Sequence, residues 1–399
     1  MHIHDPNHMQ EQLSLTNPDF VMYVPKYKEY QSDNVHLYVV QHEKFGGLIA
    51  FWTQSTLENH GDNHMLMAKS YDGGKTWSEP KFLCGASPEL GNKDKQASWG
   101  FPIVSKSGRI YLFYYRETDF TDVDRQLTGT FCCMYSDDCG DSWSDLCDVP
   151  LRKTPYDFDE FNQSNLVYQL PMRGHDGLYY AGYTKWGSKK VSPKIDEGCR
   201  LYFMRFDNLD DNPEIDELKI TFLPDSENGI EVPDEKLGSF VQEPAWVLLP
   251  DGRYFCSMRT ATGYAYYSVS DDGMKTWREP KPLRFDDGTP FVHPVAPCPI
   301  YRLTEESYVQ FFHGGFNEED HYFPRNPIRR VLGTYDAKGE QPIRFKAGTD
   351  EIFMELPEGT DHFDTKDALA LYPTCTYTDG RHILWYPDRK FFLLGKYID

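Results

Sequence analysis

Apolar and polar residues alternate along most of the chain, in short runs that Gly, Asp and Pro interrupt. That period of two is the signature of half-buried strands. The first group of runs predicts strands over residues 35–40, 47–53, 65–70 and 76–82. A second group starts near Trp99 and continues over 109–115 and 130–135. A third starts near Asn165, a fourth at Glu243 with runs over 252–259 and 263–270, a fifth at His293, and a sixth at Tyr372. Each group reads as one four-stranded antiparallel sheet. Residues 20–28 are predicted to supply the outer strand of the last sheet, tying the two ends of the chain together. The stretches 85–97, 189–198 and 225–238 are polar and read as loops, and a seventh sheet would have to lie in one of them.

One motif punctuates these groups. Ser70-Tyr71-Asp72-Gly73-Gly74-Lys75-Thr76-Trp77 returns as Ser136-Asp137-Asp138-Cys139-Gly140-Asp141-Ser142-Trp143 and as Ser270-Asp271-Asp272-Gly273-Met274-Lys275-Thr276-Trp277. Asp72 and Asp138 are 66 residues apart, and Asp138 and Asp272 are 134 apart, or twice 67. A fixed period marks a repeat architecture. Arg205-Phe206-Asp207-Asn208 and Tyr335-Asp336 are degenerate copies. Asp and Gly supply a tight turn, since Asp bonds nearby amides and Gly takes positive φ. The Trp is expected to pack between neighbouring sheets. These aspartates are therefore read as structural. The third copy departs from the pattern, with Met274 at the second Gly position.

The motif resembles the Asp-box, or BNR repeat, of the sialidase-like β-propeller superfamily. The resemblance implies an all-β, six-bladed β-propeller, seven blades being the alternative, formed as a single domain over residues 1–399. Residues 1–19 are expected to be a flexible tail. The aromatic content of 15% suits pleated, half-buried strands. A net charge of −21 argues against nucleic acid, whose phosphates need a basic footprint. No apolar run nears the length of a membrane span. The N-terminus, which includes His2, His4 and His8, lacks the basic and apolar regions of a secretion signal. The nine cysteines include adjacent Cys132 and Cys133 and show no zinc spacing. Reduced thiols and a cytoplasmic location are expected. No Gly-rich phosphate loop is present in a strand–helix context, so no cofactor is expected, and no metal site.

In such a propeller the face opposite the Asp-boxes collects the starts of the inner strands and the loops between second and third strands. The strand starts offer His36, Trp99, Asn162, Gln163, Asn165, Glu243, His293 and Tyr372. The loops offer Gln54, Glu58, His60, Asp62, His64, Arg116, Glu117, Lys185, Arg259, His313, Arg325 and Arg389. Sialidases carry a Glu at a blade start followed by a Gly turn and Arg, and this chain has Glu243, Gly252 and Arg259. They carry a Tyr opening the last blade, matching Tyr372, and a further Arg before the fifth Asp-box, matching Arg325. The resemblance implies Tyr372 as nucleophile with Glu243 as its base, because a phenol with a pKa near ~10 needs activation. It implies Asp62 as acid and Arg259 and Arg325 as the carboxylate clamp, and the same face offers Gln54, His60, His64, Trp99 and Arg116 as further substrate-binding candidates.

One departure redirects the chemistry. Sialidases open the first blade with an arginine, and His36 stands there. His cannot form the bidentate fork that Arg makes to a carboxylate. Propellers that release terminal L-rhamnose from D-glucuronate, by elimination or hydrolysis, are similar in scaffold and use a histidine there. This second resemblance implies His36, His60 or His64 as a base, with the arginines neutralising the uronate carboxylate. Both resemblances imply an acidic oligosaccharide or glycoconjugate as partner. A non-catalytic glycan-binding propeller, stacking sugars on Trp99 or Trp186, is the third reading. Structural roles also fit: Glu243 as buried partner of Arg259, Tyr372 as a channel-capping core residue, and His36 as a satisfied strand histidine.

Overall fold

The computed structural model describes residues 6–26, 31–58, 60–87, 95–116, 129–157, 165–186, 198–236, 238–361, 363, 369 and 372–399. The fold is a six-bladed β-propeller built from small antiparallel sheets. Its contacts fall into two compact units of three blades each.

The first unit comprises Met1–Leu151, Asn208–Lys219 and Leu356–Asp399. Its first blade runs Asp33–His42, Gly47–Ser55, His64–Ser70 and Lys81–Gly85, and its second Ala97–Val104, Ile110–Arg116, Thr130–Ser136 and Cys147–Asp148. The last blade joins Thr374–Thr378, Arg381–Asp388 and Phe392–Tyr397 to the N-terminal strand Phe20–Tyr23. Phe20 faces Gly395 in that pairing, so the chain ends are hydrogen-bonded together as expected. The expected outer strand is shorter than 20–28, and residues 27–30 lie outside the described residues. Trp52 and Trp385 are fully buried in a core that Phe20, Leu37, Val39 and Leu393 complete.

The second unit comprises Arg152–Asp207 and Ile220–Glu355. Its blades run Asn165–Val167, Tyr179–Lys185, Arg200–Phe206 and Ile220–Leu223; then Val241–Leu248, Tyr254–Thr260, Tyr266–Ser270 and Lys281–Pro282; then Ile300–Arg302, Ser307–Phe312, Ile328–Tyr335 and Ile343–Phe345. The polar stretch 225–238 holds only the two-residue pairing of Pro233–Asp234 with Gly238–Ser239, not a blade. Residues 189–197 and much of 85–97 lie outside the described residues.

Two expectations change. The segment read as a tail forms a helix, Pro6–Ser14, that buries Gln12 and Leu13. The fifth blade starts at Ile300 rather than at His293, because Pro294, Pro297 and Pro299 remove the amides a ladder would need.

The repeated turns share one hydrogen-bond set. In the second copy Ser136 Oγ donates to Asp138 Oδ1 at 2.8 Å and accepts from the Gly140 amide at 2.8 Å. Asp138 also accepts from the Ser142 amide and hydroxyl at 2.8 and 2.6 Å. The first and third copies repeat this around Asp72 and Asp272. Gly74 is required, because a Cβ there would lie 2.3 Å from Trp385 Cη2. Met274 takes φ 67 at the equivalent place and buries its side chain in the core, where there is room. Trp77 packs on Trp385, Trp143 on Phe51 and Trp277 on Phe203, each a residue of the preceding blade. The degenerate copies keep part of the device: Asp207 accepts from Thr221 at 2.6 Å, and Asp336 from the amides of Lys338 and Gly339.

Ser136 and the Gly140 amide are buried. Ser136→Ala orphans that amide and is expected to cost about 1–3 kcal/mol, read as a lowered urea midpoint with an unchanged slope.

Candidate functional site

Three inner strands carry the same irregularity. The ladder slips between Val35 and Tyr38, between Ser98 and Phe101, and between Gln242 and Ala245. At each slip one residue adopts a left-handed backbone: His36 at φ 52, Trp99 at φ 54 and Glu243 at φ 52. A non-glycine residue there costs roughly 1–2 kcal/mol. The bulge re-aims one side chain out of the strand's alternation. At Trp99 and Glu243 the strain is held in place by a threonine of the preceding blade. Thr53 Oγ1 accepts from the Trp99 amide at 2.8 Å, and Thr184 Oγ1 from the Glu243 amide at 2.7 Å. Strained, over-determined positions of this kind cluster at functional sites.

In the first unit His36 meets two other nominated residues. Its ring lies 5.1 Å from that of Tyr372 and 5.7 Å from that of Trp99. Both of its ring nitrogens are buried and make no hydrogen bond. Burial, then the charge of Lys390, push its pKa down to about 3, so the ring is neutral at ordinary pH. Lys390 lies 5.9 Å from the Tyr372 ring and bonds Glu58 at 2.7 Å. Tyr372 is half-buried.

Behind this cluster is a closed polar layer. Gln54 donates to Tyr23 Oη at 3.0 Å and to Asn34 Oδ1 at 2.8 Å, and its Oε1 faces His64 Nε2 at 3.2 Å. His64 Nδ1 faces the carbonyls of Asp62 and Ala86. Asp62 accepts from the Thr56 amide and hydroxyl and faces His60 Nδ1 at 3.2 Å. These contacts staple the loop between the second and third strands. Arg116 pairs with Asp148 at 3.3 Å at the blade edge. Among the described residues no group of three or more His, Cys, Asp or Glu side chains is placed to hold a metal ion.

In the second unit Glu243 Oε1 accepts from Arg259 at 2.9 Å, while its Oε2 is buried without a hydrogen bond. Arg259 and Arg325 both face the Tyr322 ring, at 5.6 and 6.0 Å. Arg325 also donates to the carbonyls of Tyr322 and Val295. His293 stacks on His313 at 5.4 Å. Burial first, then Arg259 and Arg325, hold the His293 pKa down at about 4.

Sequence reasoning overlooked Lys390 and Tyr322. It chose Arg389 instead of Lys390. Arg389 is fully buried, pairs with Asp388 and donates to Oε1 and the carbonyl of Gln12, so it anchors the N-terminal helix. Asn162, Gln163 and Glu117 lie outside the described residues.

The neutral His36 has a thermodynamic consequence. Its folded pKa lies below its unfolded value near 6.5, so the unfolded chain takes up a proton between about pH 6.5 and 3 that the native state refuses. Stability falls as pH drops through that window. Relative to wild type, His36→Phe is expected to remove about 2 kcal/mol of the loss between pH 7.5 and 5. Urea unfolding at the two pH values checks it, and equal losses in both proteins would show that His36 is not held neutral. His293 acts in the same direction in both proteins and cancels.

Several solved propellers share this fold. The intramolecular trans-sialidase of Ruminococcus gnavus is 14% identical at a TM-score of 0.62, covering 95% of this chain and 96% of its own. The NanB sialidase of Streptococcus pneumoniae is 13% identical at 0.60, covering 95% and 69%. The alpha-L-arabinanase of Penicillium chrysogenum is 13% identical at 0.57, covering 96% and 98%. At such identities the likeness is one of fold. No curated protein matches the sequence. The model of the BNR repeat-like domain matches residues 46–289, more than half of the 399 residues and all three complete Asp-boxes, and the chain belongs to that family.

Proposed function

We propose that the protein is a carbohydrate-active enzyme that releases a terminal sugar from an acidic glycan, with His36 and Tyr372 handling the protons. The observation that carries this reading is the buried, neutral His36, whose two ring nitrogens make no hydrogen bond although the backbone is strained to present them. A satisfied core histidine would have partners. A neutral imidazole with an open lone pair is a general base, and the half-buried phenol 5.1 Å away is a proton donor.

On a uronate the step is an elimination. His36 takes the C5 proton, the C5–H pair forms the C4=C5 double bond, and the C4–O bond breaks. The leaving oxygen takes the proton of Tyr372. Withdrawing the C5 proton requires a cation to neutralise the adjacent carboxylate. Trp99 offers an aromatic wall for the sugar ring.

Glycoside hydrolysis with Tyr372 as nucleophile is the second reading. The sialidase neighbours favour it.

A rhamnosyl-glucuronate oligosaccharide and a sialoside, offered to the purified protein, separate the readings. Elimination gives an unsaturated uronate absorbing in the ultraviolet, and His36→Ala is expected to lower its rate at least about 100-fold. Sialic acid release that survives His36→Ala but not Tyr372→Phe would establish the second reading. Binding without turnover of either would leave a glycan-binding propeller.

A further inference from the structure

We propose that Lys390 binds the substrate's carboxylate in the first unit, and that Glu58 is a built-in stand-in for that carboxylate, displaced when an acidic sugar arrives. The inference rests on the reading above that the ligand is acidic, and it names the residues that read the acid.

The pair is lopsided. The Lys390 side chain is 4% exposed and that of Glu58 is 55% exposed, yet they meet at 2.7 Å. A buried ammonium requires a nearby anion, because taking the charge out of water is otherwise costly. Glu58 is half in water, so its own desolvation is small, and it can be released at low cost as long as another anion takes its place on Lys390. Replacing Glu58 with a ligand carboxylate keeps the charge on Lys390 balanced throughout.

The loop around Glu58 is built for this exchange. Its base is fixed where Asp62 holds Thr56 and His64 faces the Asp62 carbonyl. Glu58 sits on the turn beyond that base, beside half-exposed Leu57. Opening the pair therefore moves the turn and leaves the blade intact. Lys390 is fixed from the other side. Arg389 and Lys390 take consecutive left-handed conformations, at φ 53 and 52, and Arg389 is anchored by Asp388 and Gln12. The ammonium is thus held 5.9 Å from the Tyr372 ring, where its charge also reaches His36.

Binding of D-glucuronate, its methyl ester and D-glucose, followed by NMR titration of the intact protein, tests this. Wild type is expected to prefer glucuronate to both neutral sugars. Glu58→Gln is expected to tighten glucuronate binding several-fold and leave the methyl ester unchanged. Lys390→Met is expected to weaken glucuronate by about tenfold or more, the loss of one charge-assisted contact, and Lys390→Arg to restore part of it. Hydrogen exchange at residues 56–58 is expected to accelerate with glucuronate and not with glucose. Circular dichroism and thermal melts confirm that each variant is folded. Equal glucuronate affinity in wild type and Glu58→Gln would overturn the stand-in role. Equal affinity in wild type and Lys390→Met, or no preference for the acid in any form of the protein, would overturn the carboxylate role. The readout is binding, so a failure of the His36 chemistry shows separately, as binding without turnover.

Discussion

A left-handed residue at the head of an inner strand is the constraint on which the site depends. A regular strand sends alternate side chains to its two faces, and both faces of a blade pack against other side chains. No side chain of such a strand is free to do chemistry at its end. The slips at His36, Trp99 and Glu243 break the alternation for one residue and re-aim that side chain. None of the three is glycine, so the conformation persists only because something else enforces it. For Trp99 and Glu243 the enforcing group is a threonine hydroxyl on the preceding blade of the same unit. Threonine suits that place: its β-branch fits the strand, and its oxygen accepts the amide that the bulge releases from the ladder.

The two ends of each blade are built from different physics. At the Asp-box turns, short polar side chains satisfy two buried or tight turn amides locally, and the Trp carries packing to the preceding blade. The Thr76 hydroxyl and amide hold the Asp72 carboxyl down to about 2, which keeps the turn's acceptor charged across ordinary pH. At the inner-strand heads, by contrast, ionisable groups are buried and several polar atoms lack partners: both nitrogens of His36 and one oxygen of Glu243. The Asp-box side chains hydrogen-bond within the turn, so the turn can be repeated from blade to blade. An unsatisfied buried imidazole or carboxylate destabilises the fold more, and a ligand that supplies the missing bond would offset that cost.

This division also explains what could be read in advance. The turns were legible because their chemistry is local: Ser, Asp, Gly and Trp at fixed offsets determine them, and 66-residue spacing makes them a repeat. The heads of the inner strands were legible through the family resemblance, and His36, Trp99 and Glu243 all sit on bulges as one class. Lys390 was not, because its placement is decided by two consecutive left-handed residues after Asp388, a backbone turn that the residue types do not announce. Tyr322 lies in a loop, where strand periodicity says nothing. The N-terminal helix was hidden because its role is to satisfy Arg389 through Gln12, a partner more than 370 residues away in sequence. Glu58, Asp62 and His64 were named together from one loop, but only contacts separate the residue that reaches Lys390 from those that fasten the loop's base.

If His36 is the base proposed above, the charges around it make the state of the ligand matter to the chemistry. In the structure the imidazole is surrounded by apolar rings and lies within reach of an ammonium, and both effects disfavour its protonation. Such a ring is always ready to accept a proton but holds one weakly. A carboxylate brought against the cation removes part of the electrostatic penalty and strengthens the base, whereas a neutral sugar at the same place leaves it weak. Discrimination between acidic and neutral substrates would then operate in the proton transfer as well as in binding, because the anion that is recognised is also the group that makes the base effective. Glu58 already provides one carboxylate to Lys390 but from a half-hydrated position, where solvent screens its charge. A buried ligand carboxylate is screened less, so exchanging one for the other changes the field at His36 although the net charge is the same.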